Sequence, residues 1–309
     1  MAITAFLDAF NPAAKMIASF AHAAAGASVL LVTLATLGSL PAGAVPVTFS
    51  LGGTDAPSSI QATVDAFRAA LGNPNNGNAP GPLAGGHREI NWDGGGPPVD
   101  ANAPGGTPFN VFLNTRGAQF TTPGTGFVQA PPSGGANGGL AGFFGNATYG
   151  NDFGVFSPNR LFTPVGSNIT EGQFFIPGTN GGTPATVIGF GAVFTDVDLA
   201  DSTTVEFFDE FGGLLASISV PAGTVADRSL SFLGVVFDAG EQIFRVRITT
   251  GTDALASGTN DNPAAGVDLV VMDDFLFGEP QAIPEPASWA LVGAGLLGLV
   301  AMRRRRRLA

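Results

Sequence analysis

Between residues 45 and 283 the chain has one histidine, His87, no cysteine and no lysine. Thiol nucleophiles, disulfides, cysteine metal sites and zinc sites built from several histidines are therefore excluded. A Ser-His-Asp triad would have to use His87, which sits in a Gly-rich stretch, and no Gly-x-Ser-x-Gly elbow is present. Carboxylate chemistry remains. Glu89 and Asp93 stand four positions apart beside Trp92. A glycoside hydrolase needs two carboxyls roughly 5–10 Å apart, and loop neighbours reach that spacing. Glu89 and Asp93 are thus the pair expected of a carbohydrate-active hydrolase or lyase. The competing expectation is that Arg88, Glu89 and Trp92 fasten the loop by ion pairing and burial.

A second carboxylate pattern points to a cation. Residues 186–280 hold 15 acidic and 3 basic groups, and calcium takes 6–8 oxygen ligands. Asp196 and Asp198, two apart at a strand end, point the same way. Asp273 falls on the apolar face of the last strand, in line with Val267, Leu269, Val271, Phe275 and Phe277, and a carboxylate there needs a partner. Asp196, Asp198 and Asp273 are the expected calcium ligands. Arg245, Arg247 or backbone N–H groups are the alternative partners for Asp273, and a solvated acidic face is the alternative for the whole group. For sugar binding, Trp92 and Tyr149 are the only Trp or Tyr between residues 45 and 283. The acidic balance of that segment, 22 acidic against 7 basic groups, argues against a nucleic-acid partner.

These residues must be held by a mostly β framework. The spacing predicts one soluble helix over 58–71, with Ile60, Val64, Phe67 and Leu71 on one stripe, Ser58 and Gln61 at capping-box spacing, and Gly72 as the stop. Residues 72–108 are dense in Gly and Pro and read as loop or linker. From 109 onward short Phe-, Val-, Ile- and Thr-rich runs alternate with turn residues. Strands are expected at 109–114, 118–121, 126–129, 172–176, 186–195, 203–208, 214–220, 229–237, 242–249 and 267–277. In 214–220, Leu214, Ala216, Ile218 and Val220 share a face. In 243–248, Phe244, Val246 and Ile248 oppose Arg245 and Arg247, which is the pattern of an antiparallel sheet with one wet side. No helical pattern separates the strands, so the expectation is an antiparallel β-sandwich, jelly-roll-like, over 109–280.

The two ends carry targeting patterns. Val29 to Leu40 is an apolar stretch of h-region length, broken by Pro41 and followed by Ala42-Gly43-Ala44. Residues 1–44 therefore read as a signal peptide cleaved after Ala44, with Met1 or Met16 as the start. At the other end, residues 287–302 carry no charge and span ~24 Å as a helix, against a hydrocarbon core of ~30 Å. Trp289 marks one interface. Arg303, Arg304, Arg305, Arg306 and Arg307 mark the cytoplasmic side, so residues 45–286 are expected outside.

Pro284-Glu285-Pro286, the short apolar helix and the terminal Arg cluster, in that order over 281–309, resemble the PEP-CTERM sorting signal. That resemblance implies an exosortase as partner and processing near Pro284-Glu285-Pro286. It also implies temporary anchoring in the inner membrane and a final place on the surface or in the exopolysaccharide matrix of a Gram-negative bacterium. The block from His87 to Gly94, with Arg116-Gly117, Phe120 and Thr122 to Phe127, resembles uncharacterised secreted bacterial proteins. Residues 186–278 resemble galactose-binding-like jelly rolls and carbohydrate-binding modules at Phe194 to Asp198, Val205 to Asp209, Phe244 to Ile248 and Val270 to Phe275. The resulting expectation is a non-catalytic exported β-sandwich that binds glycans or matrix, with a carbohydrate-active enzyme or a purely structural surface protein as the alternatives.

Overall fold

The computed structural model describes residues 46–94, 96–238 and 242–283. The signal-peptide segment with Ala42 and Ala44, the Pro284-Glu285-Pro286 motif, the expected helix 287–302 and Arg303 to Arg307 lie outside the described residues. Among the described residues no helix is long and apolar enough to cross a membrane.

In chain order the elements are β1 (Val47–Gly52), α1 (Gln61–Leu71), β2 (His87–Ile90), β3 (Ala103–Gly105), α2 (Leu113–Arg116), β4 (Ala118–Thr121) and β5 (Gly126–Ala130). Next come α3 (Gly139–Phe144), α4 (Tyr149–Asp152), β6 (Leu161–Val165), β7 (Ile169–Phe174), β8 (Ala185–Thr186) and β9 (Gly189–Thr195). The remainder are β10 (Thr204–Phe208), β11 (Leu214–Ser219), β12 (Leu230–Val236), β13 (Arg245–Thr249), β14 (Val271–Gly278) and β15 (Gln281–Ala282). An 8-stranded sheet runs β1-β12-β9-β14-β6-β5-β3, with β2 also on β14. A 5-stranded sheet runs β11-β10-β13-β7-β4, and β8 pairs with β15. Every ladder is antiparallel.

The two large sheets close on one aromatic core. Phe120, Phe174, Phe207, Val246 and Ile248 come from the smaller sheet. Phe127, Phe162, Phe190, Phe194, Phe275 and Phe277 come from the larger. This is the antiparallel β-sandwich that the alternation predicts. Its two outer faces differ. In β10 and β13 buried and half-buried residues alternate, so one face is wet. In β9, β12 and β14 every residue is buried, because the outer face of the larger sheet is itself covered.

Helix α1 lays Val64, Phe67 and Leu71 on that outer face, against Val193, Phe232 and Leu276. Gly191 and Gly234 make the approach possible: a Cβ on either would sit within 2.8 Å of the Phe67 ring. Burying such a side chain contributes about 1.5–3 kcal/mol, so the helix is held by packing. Its expected capping box is not made. Ile60 holds the N-cap without a side-chain bond, and Ser59, one residue from the expected Ser58, takes the local role by donating to the Ala56 carbonyl. Helices α3 and α4 bring Leu140, Tyr149 and Phe153 onto Val128, Leu161, Leu269 and Val271.

Other differences from the sequence pattern have local causes. Residues 109–114 are a single bridge at Phe109 leading into α2. A bulge between Phe207 and Phe208 pairs Phe208 with Leu214 and skips Leu215. Leu214 is thereby turned out and is 56% exposed, while Leu215, Ala216 and Ile218 lean on the core. Segment 72–108, expected as loop or linker, supplies β2 and β3 to the larger sheet, and β1 joins the same sheet.

Candidate functional site

Strand β2 pairs with the end of β14, Glu89 opposite Leu276 and Arg88 opposite Phe277. Glu89 lies between two basic groups. Arg68 Nε donates to its Oε1 at 2.8 Å and Nη2 to Oε2 at 3.1 Å. His87 Nε2 stands 3.0 Å from the same Oε1, and His87 Nδ1 stands 2.6 Å from the Gly72 carbonyl. Both of those oxygens accept, so both ring nitrogens carry protons when both contacts are made. Hydrogen bonding to Glu89 accordingly raises the His87 pKa. Burial alone would raise the pKa of Glu89, but hydrogen bonds from His87 and Arg68 bring it down to about 2. A carboxyl held ionised in this way does not serve as a proton donor near neutral pH.

Asp93 has different partners. Its Oδ1 accepts the Asn159 N–H at 3.0 Å and the Arg160 N–H at 3.2 Å. Arg160 is fully buried, donating to the carbonyls of Ala101, Pro97 and Pro98. Glu89 and Asp93, the acid–base pair of the alternative enzyme reading, are each engaged in separate networks. Arg88 and Glu89 do fasten this segment by ion pairing, as the competing expectation has it: Arg88 Nε and Nη2 grip Glu279 at 2.7 and 2.8 Å.

The expected sugar platforms are corrected by burial. Trp92 is 0% exposed, stacked on Phe162 with ring centres 3.7 Å apart, and its Nε1 donates to the Asp273 carbonyl at 2.7 Å. Tyr149 is also 0% exposed. Its hydroxyl meets the carbonyls of Ala256 and Thr259, both at 2.8 Å, and accepts the Ala256 N–H. Neither ring offers a face to a ligand. Both are amphipathic aromatics whose polar tips found buried partners.

The expected calcium set is also redrawn. The ladder between β14 and β9 slips between Met272 and Phe275. Val271 and Phe275 therefore fall on opposite faces, Val271 under α4 and Phe275 in the central core. Asp273 sits inside the slip, fully buried, with Oδ2 accepting the Phe156 N–H at 2.6 Å. Neighbouring Asp274 accepts from the Ser157 hydroxyl. Burial, and then the adjacent carboxyl, raise the Asp273 pKa well above its ordinary value. Its partners are the Phe156–Ser157 segment, not Asp196 and Asp198.

Asp196 and Asp198 do stay together, at the end of β9, and the fold brings Asp152 and Asp261 to them. Burial, then repulsion from Asp198, Asp261 and Asp152, pushes Asp196 up to about 9. Burial, then Asp261, Asp268 and Asp227, pushes Asp198 up to about 7. Asp261 is raised to about 6, chiefly by burial. As placed, no three His, Asp or Glu side chains among the described residues converge on one ion. Asp152 ends α4 and Asp261 lies in an irregular stretch, neither with motif spacing to Asp196 or Asp198, so no sequence signal joined them.

One further surface stands out. The open face of the smaller sheet carries cross-strand rows: Gln119–Gln173–Arg245–Phe208 and Thr121–Glu171–Arg247–Glu206. Arg245 and Arg247 both donate to Glu171 Oε1, at 3.0 and 2.7–2.9 Å, and the Arg245 guanidinium lies 3.9 Å above the Phe208 ring. Elsewhere a cleft of about 360 Å³ beside Arg228 is lined by Pro131, Pro132, Val155, Pro158 and Asn159, with Asp100 as its carboxylate.

Compared with known proteins, residues 282–306 match the PEP-CTERM protein-sorting motif. No curated protein and no solved structure matches the chain. The chain therefore carries the sorting signal that its C-terminal pattern predicts. The motif marks an exported protein held in the membrane before processing, with an exosortase as its processing partner.

Proposed function

We propose that this exported chain is a non-catalytic surface or matrix protein whose sandwich binds extracellular polysaccharide through the open face of the smaller sheet. The observation that carries the reading is the pair of rows across β4, β7, β13 and β10. The Gln119 and Gln173 amides and the Arg245 and Arg247 guanidinium groups stand there half-exposed, the guanidiniums fixed by Glu171 and Phe208. The amides both donate and accept, the guanidiniums donate in pairs, and groups already held in place lose little freedom on meeting a hydroxyl-rich ligand. The candidate acid–base residues support the same reading. Glu89 is held ionised by Arg68 and His87, and Asp93 is spent on two backbone amides. The final location on this reading is the cell surface or extracellular matrix of a Gram-negative bacterium.

The test is retention of the full chain, purified in detergent, on immobilised polysaccharide from the producing cell. Wild type is retained, and the Gln173→Ala/Arg247→Ala double variant elutes early with an unchanged melting temperature. No retention on any polysaccharide, or equal retention of the variant, rejects the assignment.

A further inference from the structure

The sorting motif and the folded body share a residue. The motif match begins at Ala282, and Ala282 is the last residue of β15. Just upstream the chain is pinned step by step. The Glu279 N–H donates to the Gly86 carbonyl at 2.9 Å, and its carboxylate is held by Arg88. Pro280 is buried. Gln281 Nε2 donates to the Leu83 carbonyl at 2.7 Å. Gln281 and Ala282 then pair antiparallel with Thr186 and Ala185 of β8.

The two strands of this ladder differ in how firmly they are held. Ala185 and Thr186 are buried. Pro184, just before them, bridges to Phe175, and Val187, just after, exchanges both backbone bonds with Ile243 at 2.9 Å. In β15, Ala282 is exposed and Gln281 only half-buried. β8 is therefore fixed to the body and β15 is laid upon it. A two-residue ladder with little buried side chain opens locally, well before the core does.

The motif also has a short reach. Only residues 283–286 separate Ala282 from the uncharged run that begins at Ala287. Five Cα steps span at most ~18 Å. Freeing residues 281 and 282 adds two steps, or ~7 Å. An enzyme that takes an extended peptide binds it through backbone N–H and C=O groups, and backbone already paired with β8 is not free for that.

We propose that β15 is a releasable latch: the exosortase engages the sorting motif only when Gln281 and Ala282 leave β8, so the β8–β15 ladder sets the fraction of anchored chain open to processing. Ala185, Thr186 and the Leu83 carbonyl are positioning groups, because they act through where they hold the motif. Glu279 stays with Arg88 when the latch opens, so the core is undisturbed and the chain is released from residue 281 onward. This does not depend on polysaccharide binding.

The test follows conversion of the full-length anchored precursor to released product in the producing cell. Directly opposed residues of an antiparallel pair have Cα atoms ~4.5–5.5 Å apart, within the range a disulfide spans. The chain holds no cysteine of its own, so a Thr186→Cys/Gln281→Cys variant places one bond across the ladder after export. Expected is accumulation of the oxidised precursor, with processing slowed at least about tenfold and restored by dithiothreitol. Each single cysteine variant is processed at least as fast as wild type. Gln281→Ala, which loses the Leu83 bond, is processed roughly two- to tenfold faster. The proposal is overturned if the oxidised double variant is processed like wild type, if the block persists after reduction or occurs in a single variant, or if Gln281→Ala brings no gain. Failure of the disulfide to form overturns it as well, because β15 would then not lie on β8.

Discussion

Two polar clusters in this molecule both bury carboxylates and end in opposite states. Around β2, Glu279 is gripped by buried Arg88 and also accepts from Asn76 and the Leu83 N–H, while Arg88 Nη1 reaches the Gly77 and Thr115 carbonyls. Arg68 and His87 do the same for Glu89. At the β9 rim, four aspartates gather, no arginine among the described residues pairs with them, and two of their oxygens are orphaned. The first cluster neutralises its carboxylates from within the chain. The second leaves neutralisation to a proton. Burial of a carboxylate thus says little about its charge; the partner within reach decides it.

The largest effect expected from that contrast is in the first cluster. Arg88→Ala leaves Glu279 buried and unpaired, and should cost about 3–5 kcal/mol of unfolding free energy. Chemical denaturation measures it, and a loss below about 1 kcal/mol would show that the pair is not buried as described. Next is a pH dependence of opposite sign in the two clusters. Glu89, lowered to about 2, contributes stability that is present above its ordinary value and lost as pH falls towards 2. Asp196, raised to about 9, keeps a proton in the fold that the unfolded chain releases at its ordinary value. Its contribution therefore falls as pH rises from about 4 to about 9. The melting temperature should therefore drop between pH 5 and 8. A flat or rising melting temperature over that range would break the contrast.

A smaller effect isolates the rim from His87, whose raised pKa also removes stability as pH rises. Asp196→Asn should be as stable as wild type or up to ~1–2 kcal/mol more stable near pH 8, with the slope reduced and not abolished. A clear destabilisation would mean that the ionised carboxylate is already satisfied. Smallest of all, Arg247→Ala should change stability by under about 1 kcal/mol, because its pair with Glu171 is half-exposed. A larger loss would place that pair among the buried ones.

How far the sequence carried the reading depends on whether partners were near in the chain. Strand β13 was legible because Val246 and Ile248 alternate with Arg245 and Arg247 and one face of its sheet is wet. Helix α1 was legible from its stripe, since one apolar face packs on one sheet. Strand β2 was not: His87-Arg88-Glu89-Ile90 reads as a charged loop until Glu279, 191 residues away, neutralises Arg88. The slip in β14 was equally hidden, because alternation continues on paper through a position where the ladder shifts, and it carried Asp273 away from the expected ligand set. Trp92 and Tyr149 carry polar tips that suit a surface site or a buried hydrogen bond alike, and only packing chose burial.

By itself, then, the sequence determined the export route, the β character and the catalytic groups the chain lacks. Those follow from composition and from short contiguous patterns, including the motif at 282–306. The tertiary structure alone decided which carboxylates meet which cations, which aromatics are withdrawn from the surface, and which four aspartates share a rim. Each of those depends on strand ends brought together across long stretches of chain, where electrostatic and packing energies act over ångströms and sequence distance has no bearing.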